Sequence, residues 1–78
     1  MPTVLRVDGF RFHFYSNEND EPPHVHVDAG DGECKFWLEP IALAFNRGLT
    51  AATVRKVERL VFEYGSLLRE RYRDFHGR

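Results

Sequence analysis

Over the first 38 residues apolar and polar positions alternate with a period of two, whereas beyond residue 50 apolar positions recur at steps of three and four. The first rhythm is that of strands with one buried face, and the second is that of a helix with one buried stripe. Asp8-Gly9 separates residues 4–7 from residues 10–15 and is the dipeptide that a type I′ hairpin turn favours. Such a turn pairs Val7 with Phe10, Arg6 with Arg11, Leu5 with Phe12, Val4 with His13 and Thr3 with Phe14. Leu5, Val7, Phe10, Phe12 and Phe14 then share an apolar face, and Arg6, Arg11, His13 and Tyr15 share the other. Asp31-Gly32 marks a second hairpin between residues 24–29 and 33–38. Its expected register sets Ala29 against Cys34, Val27 against Phe36 and Val25 against Leu38. On the reverse face it sets Asp28 against Lys35, His26 against Trp37 and His24 against Glu39. Residues 16–23 form an acidic, turn-rich loop ending in Pro22-Pro23, which holds the approach to His24 extended.

Pro40 suits a first helical position, Ile41 to Asn46 is expected to make a short helix, and Gly48 supplies a left-handed stop. Thr50 is the expected cap of a long C-terminal helix whose stripe is Val54, Val57, Val61, Tyr64 and Leu68. Gly65 is its weak point and is expected to bend or end it before a further segment through Tyr72. The predicted fold class is α+β: two antiparallel β-hairpins forming a sheet, packed on a short helix and a long C-terminal helix, in one domain spanning residues 1–78.

Seventy-eight residues are too few for a second core, and seven Phe, three Tyr and one Trp supply the apolar mass of the first. The single cysteine, Cys34, excludes an intramolecular disulfide and a paired-cysteine metal knuckle, and it faces the core in the expected register. Residues 1–7 lack the basic and long apolar regions of a signal peptide, so a cytoplasmic protein with no membrane association is expected. The net charge of −1 hides an asymmetry, because residues 1–40 hold three basic and eight acidic side chains and the remainder eight basic and four acidic. A polycation wrapped by nucleic acid is thereby excluded, although a basic helix face is not.

The chemistry gathers on the polar face of the sheet. His24 and His26, two apart on a strand, project from one side and can share a reaction centre. A histidine near its ordinary pKa of about 6.5 gives or takes a proton at neutral pH. Neighbouring cations stabilise phosphoryl charge, and an indole stacks on a base. Arg6, Arg11, His13, Tyr15, Lys35 and Trp37 fall on the same expected face. Together they are the parts of a metal-independent ribonuclease: His24 and His26 as acid and base, Arg11 and Lys35 on phosphate, Trp37 as stacking platform. A plain solvated sheet surface explains most of these pairs too, but it leaves Arg6 facing Arg11 unless an anion or carboxylate intervenes. No cofactor is implied. Tightly held zinc is not expected either, since His24 and His26 make only a pair and Glu39, Asp28 and His13 are mere candidates for a third ligand. Residues 42–55 offer a different reading, a helix-turn-helix with a threonine-capped second helix, although any connection between two helices shows the same capping residues.

The segments MPTVLR, FHFYSNE, EPPHVHV and KFWLEP, followed by the stretch ending at Gly48, closely resemble a bacterial domain-of-unknown-function family, number 4160 in its series. The resemblance covers nearly the whole chain. It implies small bacterial genes often paired with another small gene, in the manner of toxin and antitoxin modules, with some members labelled transcriptional regulators. It supplies no catalytic residues. The expected function is therefore a nucleic-acid-directed component of a toxin–antitoxin-like pair, in its catalytic form a ribonuclease. The alternative is a non-catalytic binding module, either a helix-turn-helix regulator or an antitoxin docked on its partner. Expected partners are nucleic acid and a small protein from an adjacent gene, and a homo-oligomer is compatible with the chain.

Overall fold

The structure, a computed structural model, describes residues 3–15 and 20–77. Five strands precede two helices: β1 (Thr3–Val7), β2 (Phe10–His13), β3 (His24–Ala29), β4 (Gly32–Leu38), β5 (Ile41–Arg47), α1 (Ala51–Glu63) and α2 (Gly65–His76). The strands form one antiparallel sheet in the order β1-β2-β3-β4-β5. Each strand therefore lies beside its sequence neighbour; β1–β2, β3–β4 and β4–β5 are joined by tight turns, and residues 14–23 connect β2 to β3. The α+β class and a sheet packed against helices are as expected, but the sheet has five strands and the two helices are of similar length.

The first turn is of the expected type, with both Asp8 (φ 52°) and Gly9 (φ 81°) in the left-handed region. Val7 faces Phe10, Arg6 faces Arg11 and Leu5 faces Phe12, after which the register shifts so that Thr3, not Val4, meets His13. The second turn is centred on Gly30-Asp31, with Gly30 at φ 60°, one residue earlier than the Asp-Gly dipeptide suggested. Pairing consequently moves by two positions: Val27 faces Cys34, Val25 faces Phe36, Asp28 faces Glu33, His26 faces Lys35 and His24 faces Trp37. A shift of two leaves every side chain on its expected face, because strand faces alternate with period two.

The largest departure is β5. Residues 41–47 form a strand, not a short helix, joined to β4 through a turn at the cis Glu39–Pro40 bond. Ile41 and Leu43 alternate as a strand requires, facing Leu38 and Phe36, and a shift in register beyond Leu43 brings Phe45 opposite Lys35. Residues 41–47 being a strand, the helix-turn-helix of residues 42–55 is not formed.

Thr50 caps α1 as expected, its Oγ1 accepting a hydrogen bond from the Thr53 backbone N–H at 3.1 Å. The helix ends at Tyr64 (φ −103°), and Gly65 opens α2 with its Cα against the sheet, where an added Cβ would lie 3.4 Å from Ile41 Cδ1. The buried core joins Phe12, Val25, Val27 and Phe36 of the sheet to Val57 and Val61 of α1 and Leu68 of α2. Among the described residues no helix is long and apolar enough to cross a membrane.

Candidate functional site

The strand register sorts the face of the sheet turned away from the core into three cross-strand rows. The first runs Arg6, Arg11, Asp28, Glu33, Arg47, the second His13, His26, Lys35, Phe45, and the third pairs His24 with Trp37. All eight residues singled out from sequence thus belong to one polar assembly, with Tyr15, just beyond β2, lying edge-on to His26 at 4.3 Å between ring centroids. His24 and His26 adjoin each other as their spacing requires, with centroids 5.4 Å apart and rings nearly perpendicular.

This face is not the open one that the alternation suggested. His13 and His24 are 0% exposed, His26 3% and Lys35 7%. Part of the cover comes from residues 20–23, and long-range bonds hold that segment down. The Lys35 ammonium bonds the Glu21 carboxylate, Leu38 N–H donates to Pro23 O at 2.9 Å, and Tyr72 Oη donates to Glu21 O at 3.1 Å. His24 Nδ1 lies 2.9 Å from Pro22 O. A carbonyl can only accept, so this nitrogen carries the proton. The remainder of the loop, residues 16–19, lies outside the described residues. Glu39, expected opposite His24, is instead exposed in the β4–β5 turn.

The first row mixes opposed like charges, Arg6 with Arg11 and Asp28 with Glu33, with ion pairs between the strands. Arg11 Nη1 bonds Asp28 Oδ2 at 2.8 Å, so a carboxylate balances Arg11 from its β3 side, while Arg6 faces Arg11 from β1. Glu33 Oε2 accepts from Tyr15 Oη at 3.4 Å and lies 3.1 Å from His26 Nδ1, while its Oε1 is 3.7 Å from Arg47. Lys35 Nζ sits 4.7 Å from the centroid of the half-buried Trp37 ring. Two outer cations keep their exposure: Arg6, and Arg47 at 77% of its side chain.

His13 stands apart. Its Nε2 is 3.2 Å from Asp28 Oδ1, and its Nδ1 has no hydrogen-bond partner among the described residues. Burial lowers its pKa below the ordinary 6.5, against the opposing pull of Asp28. His13, Asp28 and Glu33 together place one donor atom each within 4.8 Å of one another. Glu33 escaped sequence reasoning because the register expected there set Lys35, and not Glu33, opposite Asp28. Arg47 and Phe45 escaped it through the helical reading of β5, and no local signal marks Glu21 or Tyr72.

Cys34 faces the core as expected, and burial followed by the nearby Glu33 and Asp28 charges pushes its thiol up to about 11. The thiolate is the reactive form. A disulfide reagent at mildly alkaline pH should therefore leave native Cys34 unmodified over a period in which the urea-unfolded chain reacts completely. Equal rates in the two states would contradict its placement.

A two-layer α+β domain with a histidine-rich polar cluster enclosed on its outer sheet face is the class that these features define. A family model described as "Domain of unknown function (DUF4160)" matches residues 9–73, and the chain belongs to that family. Neither a curated protein nor a solved structure gave a match.

Proposed function

We propose that the protein binds nucleic acid along its outer sheet face, as one half of a bacterial toxin–antitoxin-like pair, and that it does so without cleaving the strand. One contrast carries this reading. The histidines that a metal-independent ribonuclease would use, His24 and His26, are buried, whereas Arg6 and Arg47 are exposed and Trp37 is half-exposed on the same face. Arginine suits phosphate because its planar fork donates in pairs, and an indole offers a stacking surface to a base. Pairing with a small partner protein rests on the gene context that the family resemblance implies.

The ribonuclease form of the reading keeps one supporting observation, the adjacency of His24, His26 and Lys35. It requires residues 20–23 to lift away, breaking the contacts of Glu21 with Lys35 and Tyr72. Incubating end-labelled single-stranded RNA with the protein and resolving it on native and denaturing gels separates the two. Retarded but intact RNA is the expected result. Cleavage products that disappear with His24→Ala would replace the binding reading with the catalytic one.

A further inference from the structure

We propose that His13, Asp28 and Glu33 form a binding site for a first-row divalent cation, a zinc-like ion held by one imidazole and two carboxylates. The site takes a different ligand from the nucleic-acid reading but lies in the same cross-strand row, with Glu33 3.7 Å from Arg47.

Three observations converge on it. The first is proximity: one donor atom from each of the three residues lies within 4.8 Å of the other two. Zinc bonds nitrogen and oxygen donors at about 2.0–2.2 Å, so tetrahedral coordination needs donors about 3.5 Å apart. Closing that gap takes small side-chain adjustments of the two carboxylates, which are 39% and 19% exposed and keep their other oxygen on Arg11, and on His26 and Tyr15. The second is the unsatisfied imidazole. A buried polar group without a hydrogen bond is costly; His13 Nδ1 has no partner among the described residues, and Nε2 has only the Asp28 Oδ1 contact at 3.2 Å. A metal bond is one way of satisfying that lone pair. The third is charge. Asp28 and Glu33 face each other directly on β3 and β4, and like charges opposed across a strand pair repel. A divalent ion between them turns that repulsion into attraction.

The surroundings suit ligands that must be held in place. Arg11 grips Asp28 by Oδ2 and leaves Oδ1 toward His13, while His26 and Tyr15 hold Glu33 by Oε2 and leave Oε1 on the side of Arg47. Hydrogen bonds to metal-binding carboxylates orient them in this way. One imidazole with two carboxylates favours zinc, manganese or cobalt over calcium, which prefers an all-oxygen shell. Three protein donors also leave at least one coordination position for water.

Untagged protein stripped with a chelator should bind one equivalent of Zn²⁺ in a calorimetric titration at neutral pH. Asp28→Asn and Glu33→Gln keep side-chain size, and each should weaken that binding by on the order of tenfold or more. Arg6→Ala, which touches none of the donors, should leave it unchanged. Because the buried His13 is a poor site for substitution, the wild-type protein provides the second readout: the His13 ring nitrogen resonances should shift on adding Zn²⁺. No uptake by the wild type, undiminished uptake by both carboxamide variants, or His13 resonances that stay in place would each overturn the site.

Discussion

Phe36→Ala should cost the domain about 3–5 kcal/mol, which is the range for removing a large aromatic side chain from a packed core. Phe36 lies at the centre of the sheet, between Val25 on β3 and Leu43 on β5, and is fully buried against the helical layer. Its loss leaves a cavity that the neighbours can fill only in part, since Val25 sits on a strand hydrogen-bonded on both sides and the interior is close-packed. A chain of 78 residues has a total stability of roughly 4–12 kcal/mol by the usual per-residue scaling. The substitution thus removes a large share of it, and urea denaturation should show the midpoint moving sharply toward zero. A loss under about 0.5 kcal/mol, the scale of a surface change, would mean that Phe36 is not in the core.

Gly32→Ala should destabilise the fold by about 1–3 kcal/mol, the scale of steric overpacking. Gly32 opens β4 and is buried where β5 runs into the turn at Gly48. A Cβ there would lie 2.9 Å from Arg47 O and 3.0 Å from Gly48 C, and it would also collide with the Leu49 side chain. Backbone atoms cannot swing aside as a side-chain tip can, so the strand pair must separate locally. Gly30 makes a useful contrast. Nothing lies within 4 Å of its added Cβ, and its φ of 60° leaves Ala only the left-handed strain of about 1–2 kcal/mol. The measurements are parallel urea melts of the two variants. Wild-type stability in Gly32→Ala would contradict the close approach of β4 to β5, and with it the Gly30-Asp31 turn.

These glycines show why part of the fold was legible in sequence and part was not. Asp8-Gly9 sits between flanks of matched length, so the turn type, the faces and three residue pairs followed directly. In the second hairpin two glycines bracket Asp31, and only the contact of Gly32 with the Arg47–Leu49 corner, some 15 residues along the chain, decides which of them turns. The faces survived because the resulting shift is even. For residues 41–47 the period-two signal of Ile41, Leu43 and Phe45 is present, but Pro40 at a first helical position and Gly48 as a left-handed stop favour a helix. Pairing with β4 outweighs that propensity, as tertiary context commonly does. At the site, the shared face of His13, His24 and His26 was readable from alternation alone. Their burial was not, since it depends on bonds such as Tyr72 to Glu21 that span most of the chain.

The direct measurement of the functional claim is a titration of labelled single-stranded RNA at several salt concentrations, with wild type, Arg6→Ala and Trp37→Ala. Arg6 is the cleaner cation to remove, because Arg11 is committed to Asp28. Each neutralised phosphate releases condensed counterions, so wild-type affinity should fall as salt rises. Arg6→Ala should reduce both the affinity and the steepness of that fall. Stacking involves no charge, so Trp37→Ala should lose about 1–3 kcal/mol of binding while keeping the wild-type salt slope. Absence of binding at low salt, or identical curves for all three proteins, would contradict a nucleic-acid interface on this face.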